Sequence, residues 1–342
     1  MELNDRMPLR YRGITWLMAL LGFAVMVISI WGCAAGQRLP ESGKAPAAGQ
    51  EGKDDRILVV TTIFPYYDFV RQIAGDRVKL KLVVPAGMDS HSFEPTPADM
   101  IAMQEADVLI CNGGEMEQWV EKVLGSLDTS HMKVLTMMDY VDVVEEEHVE
   151  GMEEEEHRHE DGFEMHIEYD EHIWTSPVNA RAIVKIISQT LSEAAPREKS
   201  RFEEKTQAYL KELKELESQF RQVVNQGRLH MIVVADKFPF RYFADEYGLS
   251  YRAAFSGCSG DTEPSARTIA YLIDKVKEDR IPAVYYLELS SPRVAEIIGE
   301  ETGAEPLLFH SCHNVTRHQF DSGVTYLELM EQNVKNLKKG LS

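Results

Sequence analysis

Hydrophobic positions along this chain switch period in a regular order. The β-branched and apolar runs in RILVVTTIF, VKLKLVV, DVLIC and KVLTMM suit strands, and between them FPYYDFVRQIAG, ADMIAMQEA and MEQWVEKVLGSL repeat apolar residues every three or four positions, as amphipathic helices do. Strands alternating with helices predict a parallel sheet, because each crossover must carry the chain back to the same edge. A helix then follows in SPVNARAIVKIISQTLSEAAP, with Pro177 near its start and Pro196 past its end. Next comes REKSRFEEKTQAYLKELKELESQFRQVV, 28 residues without Gly or Pro. Its apolar Phe202, Tyr209, Leu213, Leu216, Phe220 and Val223 mark one stripe on a long, largely exposed helix. A second alternating set runs from HMIVVAD to the closing helix TYLELMEQNVKNLKKGL. The fold class predicted is α/β: two lobes with parallel sheets, residues 56–195 and 227–342, joined by a linking helix at residues 196–226.

The N-terminal region has a different pattern. Arg6, Arg10 and Arg12 precede an apolar run from Gly13 to Ile30, and small residues surround Cys33 in IWGCAAG. This is the layout of a secretory signal, with an uncleaved membrane anchor as the structural alternative. The placement of Cys33 resembles a lipobox, whose Cys is acylated and becomes the first mature residue; Trp31 departs from the usual small residue there. Residues 1–33 are therefore expected to be a lipoprotein signal peptide. Residues 34–55, rich in Ala, Gly, Pro and charge, are expected to be a flexible tether. The body then faces outward from a membrane, lipid-anchored through Cys33 and monomeric. Outside the cytoplasm three further cysteines allow at most one internal disulfide. Cys111 ends an apolar run and reads as a buried hydrophobe, so Cys258 and Cys312 are the expected pair, with metal ligation by one or both as the competing reading.

Charge is unevenly spread. The formal net charge is −20, and between Asp139 and Glu171 sixteen Asp and Glu face only Arg158, a local net of −15. Nucleic acid is a poor partner for such a chain, and cations are better ones. The same acidic stretch, residues 139–171, carries His148, His157, His159 and His166. It reads either as an accessory metal-concentrating loop or as a solvated insert that only solubilises the protein.

In facing α/β lobes, ligands gather at the carboxyl ends of strands. Metal-type side chains fall there repeatedly: His91 after LKLVVPAGMDS, His172 before the Pro177 helix, Asp236 after HMIVVA, Glu288 after AVYYL, and His310 after EPLLF with His313 three residues on. One such residue is usually a hydrogen-bonded surface group; five positions from both halves, all suited to a borderline divalent cation, point to a metal site.

These residues carry a resemblance. PAGMDSHSFEPTPADM, CNGGEMEQWV, DEHIWTSPVNA and FPFRYFADEYGL are similar to motifs of the zinc- and manganese-binding lipoproteins that serve ABC uptake systems, the ZnuA, TroA and PsaA type. The resemblance runs from about Arg56 to Ser342. It implies two lobes on a backbone helix, one divalent cation in the cleft, and delivery of that cation to a membrane permease. His91 and His172 carry over as ligands. The third ligand position of that family falls on Lys237, which has no lone pair when protonated, so Asp236 is the expected replacement. The fourth is expected at His310, with His313 in reserve and Glu288 beside the metal. Imidazole-rich ligands favour Zn2+ over Mn2+, which remains the alternative cargo. No catalytic work is implied: a zinc hydrolase would need paired histidines on one helix beside a general base, and no such motif occurs in the sequence. An adhesin-like surface role stays open alongside transport.

Overall fold

The computed structural model describes residues 54–153, 168–259 and 263–342. The signal segment with Cys33, the tether up to residue 53, and His157, His159 and His166 lie outside the described residues. Asp54–Ser342 forms one compact unit. No helix among the described residues is long and apolar enough to cross a membrane.

In the first lobe, β1 (Leu58–Thr61), α1 (Phe64–Ala74), β2 (Lys79–Leu82), α2 (Pro97–Gln104), β3 (Val108–Cys111), α3 (Gln118–Leu124) and β4 (Lys133–Thr136) lead through a long connection to α4 (Pro177–Ala194). Helix α5 (Lys199–Gln226) then crosses to the second lobe, built from β5 (Met231–Val234), α6 (Arg241–Tyr247), β6 (Ser250–Ala253), α7 (Ala266–Asp279), β7 (Ala283–Tyr286), α8 (Arg293–Thr302), β8 (Glu305–Leu308), α9 (Arg317–Asp321) and α10 (Tyr326–Gly340). Each lobe holds a four-stranded, all-parallel sheet, in the orders β2-β1-β3-β4 and β6-β5-β7-β8. Parallel sheets are buried on both faces, which is why the central strands β1, β3 and β5 read as unbroken apolar runs.

Local chemistry fixes where the helices begin. Thr96 and Asp99 form a capping box on α2, Thr325 and Glu328 another on α10, and Ser176 caps α4 just ahead of Pro177. With 28 residues, α5 is about 42 Å long. It buries Phe202, Thr206, Tyr209, Leu213, Leu216, Phe220 and Val224, the expected stripe with Val224 as the buried member in place of Val223. That stripe packs on α1 and α4 of one lobe and on α6 and α10 of the other, so a single apolar cluster runs through both lobes while each sheet keeps a smaller cluster on its outer face.

Polar groups reinforce the junction. Asp68, fully buried on α1, accepts hydrogen bonds from Arg71, from Gln72 at 2.9 Å and from the Tyr326 amide at the start of α10 at 2.7 Å. Trp174, also fully buried, donates Nε1–H to the Ser311 carbonyl at 2.8 Å, and its own carbonyl accepts from Tyr326 Oη at 2.8 Å.

The acidic stretch differs from a free loop at both of its ends. Glu145 and Tyr169 form an antiparallel bridge, extended by Glu146 N–H to Glu168 O and Asp170 N–H to Val144 O. This ribbon lies on the second lobe: Tyr242 Oη donates to Asp170 O at 2.6 Å, Tyr251 Oη to Glu147 at 3.0 Å, and the Glu153 amide to Ala254 O at 2.9 Å. Residues 139–171 connect β4 and α4 and read from the sequence as a loop of the first lobe. The sparse apolar and backbone groups nevertheless find partners across the junction.

Candidate metal site

Three imidazoles meet where the lobes face each other. The potential ligand atoms of His91, His172 and His313 lie within 4.8 Å of one another. His91 sits in the loop after β2, His172 at the short turn Ile173–Thr175 leading into α4, and His313 in the loop after β8. Two come from the first lobe and one from the second. Tetrahedral zinc holds imidazole nitrogens at about 2.0–2.1 Å, hence about 3.3 Å from each other, so each pair needs to close by no more than about 1.5 Å to grip an ion.

Each ring is held by named partners. Asp170, buried, accepts from the His172 amide at 2.8 Å and lies 3.2 Å from its Nδ1, an arrangement that puts the proton on Nδ1 and leaves Nε2 with the lone pair. His313 Nε2 lies 2.6 Å from the buried Ser90 hydroxyl. The adjacent Asn314 donates to Pro85 O at 2.8 Å and Met88 O at 2.6 Å, clamping the His91 loop from across the cleft. At Gly257 an added Cβ would sit 2.9 Å from Phe238 O and 3.3 Å from His172 Cε1, so the absent side chain lets the second lobe close on His172.

The environment keeps lone pairs available. Burial, with His172 and Lys237 nearby, pulls His91 down to about 4 against the opposing charge of Asp89. Burial and the neighbouring His172, His91 and Lys237 hold His313 well below the ordinary imidazole value. For His172 burial acts in the same direction, but the charge and hydrogen bond of Asp170 outweigh it and raise the pKa. An imidazole must be neutral to bind metal, and the lowered values of His91 and His313 keep those two in that form at neutral pH.

The family described as "ZnuA: Zinc-uptake complex component A periplasmic" matches residues 59–340. The chain belongs to the ZnuA family. It is 34% identical over 293 residues to the zinc-binding lipoprotein AdcA of Streptococcus pneumoniae, covering 85% of this chain and 57% of that relative. It thus spans little more than half of that relative's length. It is 31% identical over 293 residues to the high-affinity zinc uptake system protein ZnuA of Bacillus subtilis, covering 85% of this chain and 89% of the relative. The Zn(II)-bound ZnuA-like domain of Streptococcus pneumoniae AdcA superposes with a TM-score of 0.68 at 30% identity, covering 84% of this chain and 99% of that domain.

Within this ZnuA-family chain, the remaining expected ligands do not join the histidine group among the described residues. His310, the first choice for the fourth position, is buried and uses Nδ1 to accept the Cys312 amide at 3.0 Å; among the described residues it does not join the histidine group. Its backbone is fixed by Asn333, which accepts from the His310 amide at 2.8 Å and donates to the His310 carbonyl at 2.7 Å. Glu288 accepts from the Ser311 amide at 2.8 Å and hydroxyl at 2.5 Å. Together His310, Glu288 and Asn333 build the turn that presents His313. Cys312, with φ of 61°, reverses the backbone so that His313 and His310 part company.

Asp236 lines the cleft, yet its carboxylate receives the Lys237 amide at 2.8 Å, the Leu287 amide and the Ser290 side chain, and burial raises its pKa. The expected disulfide is absent. Cys258 and Cys312 are free thiols: Cys258 borders a second cavity with Glu146, Glu168 and Glu171, whereas Cys312 is fully buried with its thiol directed to the His310 carbonyl. Cys111 is buried as expected. His148, on the described part of the acidic ribbon, is exposed and apart from the histidine group. Sequence reasoning passed over Ser90, Asp170, Gly257 and Asn314. Of these only Asp170 had a local signal, a carboxylate two residues before His172.

Proposed function

We propose that this protein captures a zinc ion between its lobes through His91, His172 and His313 and hands it to the permease of an ABC uptake system. The observation carrying this reading is the convergence of three imidazoles from both sides of the cleft, with both exchangeable nitrogens of His172 accounted for by Asp170 and the open site. Imidazole donors suit zinc better than manganese, which prefers harder oxygen sets. The printed names of the relatives support the same cargo. Anchoring through acylated Cys33, with a tether over residues 34–55, would hold a monomer at the outer face of the membrane, where the acidic stretch with His157, His159 and His166 would raise the local cation concentration. Capture needs reversible ligation only, and the ligands straddle the junction, so a small change in lobe approach adds or withdraws His313 from the His91 and His172 pair.

Deleting the gene should abolish growth in zinc-depleted medium and added zinc should restore it; His313→Ala should reproduce the deletion, while His310→Ala should support growth. Normal growth of the deletion strain without zinc would remove the transport reading. Restoration by manganese and not by zinc would change the cargo.

A further inference from the structure

The cavity at the cleft is about 600 Å³, the size of a small-molecule pocket and far more than a bare ion fills. Its metal donors are all neutral. Among the described residues no carboxylate oxygen joins His91, His172 and His313, and the two carboxylates closest in sequence to strand ends, Asp236 and Glu288, each accept hydrogen bonds from backbone amides and a serine side chain of their own lobe. The same cavity wall carries Asp89 and Glu263, and two cations: Arg293, paired with Glu296 and Glu300, and Lys237, half-buried and forming no ion pair among the described residues. A zinc ion on three neutral imidazoles keeps its full double charge. It also keeps an open fourth position, where an ammonium on the same wall favours an anionic ligand over a neutral one.

We propose that the cleft takes zinc together with a small exogenous carboxylate, one oxygen filling the fourth zinc position and the remainder of the anion pairing with Lys237. The ammonium thereby becomes a specificity determinant, disfavouring the bare ion and favouring its carboxylate complex. Ser291 lines the same cavity, and its hydroxyl, which accepts the Arg293 amide at 3.3 Å, can donate to such an anion. This inference rests on the zinc-capture reading above, and the test separates the two.

The full chain is passed through gel filtration with zinc and radiolabelled citrate, alone and together. One citrate per chain should co-elute with the wild-type protein only when zinc is present. Lys237→Met should keep the zinc and lose at least about 10-fold of the citrate retention, with Lys237→Arg recovering part of it because the charge is preserved. A cobalt-substituted sample supplies a second readout: citrate should shift the visible spectrum of the wild type and leave that of Lys237→Met nearly unchanged. Wild-type protein that elutes from the mixture with zinc but no citrate, or citrate retention unaffected in Lys237→Met, would overturn the co-ligand proposal while leaving zinc capture intact. Zinc retained undiminished by His91→Ala, His172→Ala and His313→Ala would overturn the underlying site itself.

Discussion

Replacing Asp170 by Asn tests how the buried carboxylate acts through His172. The substitution preserves size, and the amide oxygen can still accept the His172 amide and Nδ1–H, whose carboxylate contacts are 2.8 and 3.2 Å. What is lost is the negative charge that makes Nε2 a stronger donor to metal. Carboxylates in this position contribute roughly 10- to 100-fold to metal affinity, or about 1.4–2.8 kcal/mol. The buried setting of both groups places Asp170→Asn toward the larger end. The variant should therefore bind zinc some 30- to 100-fold more weakly, on the scale of that general range, with its melting temperature in the absence of metal little changed. The pH dependence gives an independent check. Asp170 raises the His172 pKa, so zinc must displace a proton from the wild-type site once the pH falls below that raised value, and affinity drops by about 10-fold per pH unit from there. His91 adds no competing proton until about pH 4. In Asp170→Asn the onset of this fall should move to lower pH. Competition of each protein with a chromogenic chelator across the pH range measures both effects; an unchanged affinity and an unchanged onset would refute the role given to the Asp170–His172 pair.

Other residues give further expectations. Asp68→Ala leaves Arg71 and the first amide of α10 without their buried acceptor and should destabilise the fold by about 3–5 kcal/mol in urea denaturation; a loss below 1 kcal/mol, the scale of an exposed pair, would mean the lobe junction does not depend on it. Gly257→Ala forces a Cβ to within 2.9 Å of the Phe238 carbonyl and against His172, an overpacking cost of about 1–3 kcal/mol, and zinc titration should show weakened binding. His310→Ala removes the acceptor of the Cys312 amide and should lower stability by about 1–3 kcal/mol while the chain still binds one zinc; loss of all zinc in a folded variant would restore His310 as a ligand.

Much of the fold was legible because its signals are local and periodic. The apolar runs of β1, β3 and β5, the capped starts of α2, α4 and α10, and the stripe on α5 each state their element without long-range information. The site was only partly legible. His91 and His172 stand in distinctive surroundings, but choosing between His310 and His313 depends on one backbone reversal at Cys312, a residue type that gives no warning of positive φ. Asp236 occupies the expected strand end and still points its hydrogen-bonding capacity at its own loop, because three donors of the second lobe reach it first. The pairing of Cys258 with Cys312 failed for a related reason: similar loop-like settings said nothing of where each thiol lies, Cys258 beside the cavity with Glu146 and Glu171 and Cys312 against the His310 carbonyl. The contacts at the ends of the acidic stretch carried no local signal, because their partners Tyr242 and Tyr251 lie 72 and 104 residues away in the chain.

The central claim is that His91, His172 and His313 together hold the metal. Equilibrium dialysis of the full chain against zinc, with the residues 154–167 deleted to remove the accessory histidines, tests it directly. The account predicts one tightly held zinc in that deletion variant, lost on adding His91→Ala, His172→Ala or His313→Ala and kept on adding His310→Ala or Asp236→Ala. Tight zinc retained after His313→Ala but lost with His310→Ala or Asp236→Ala would contradict it.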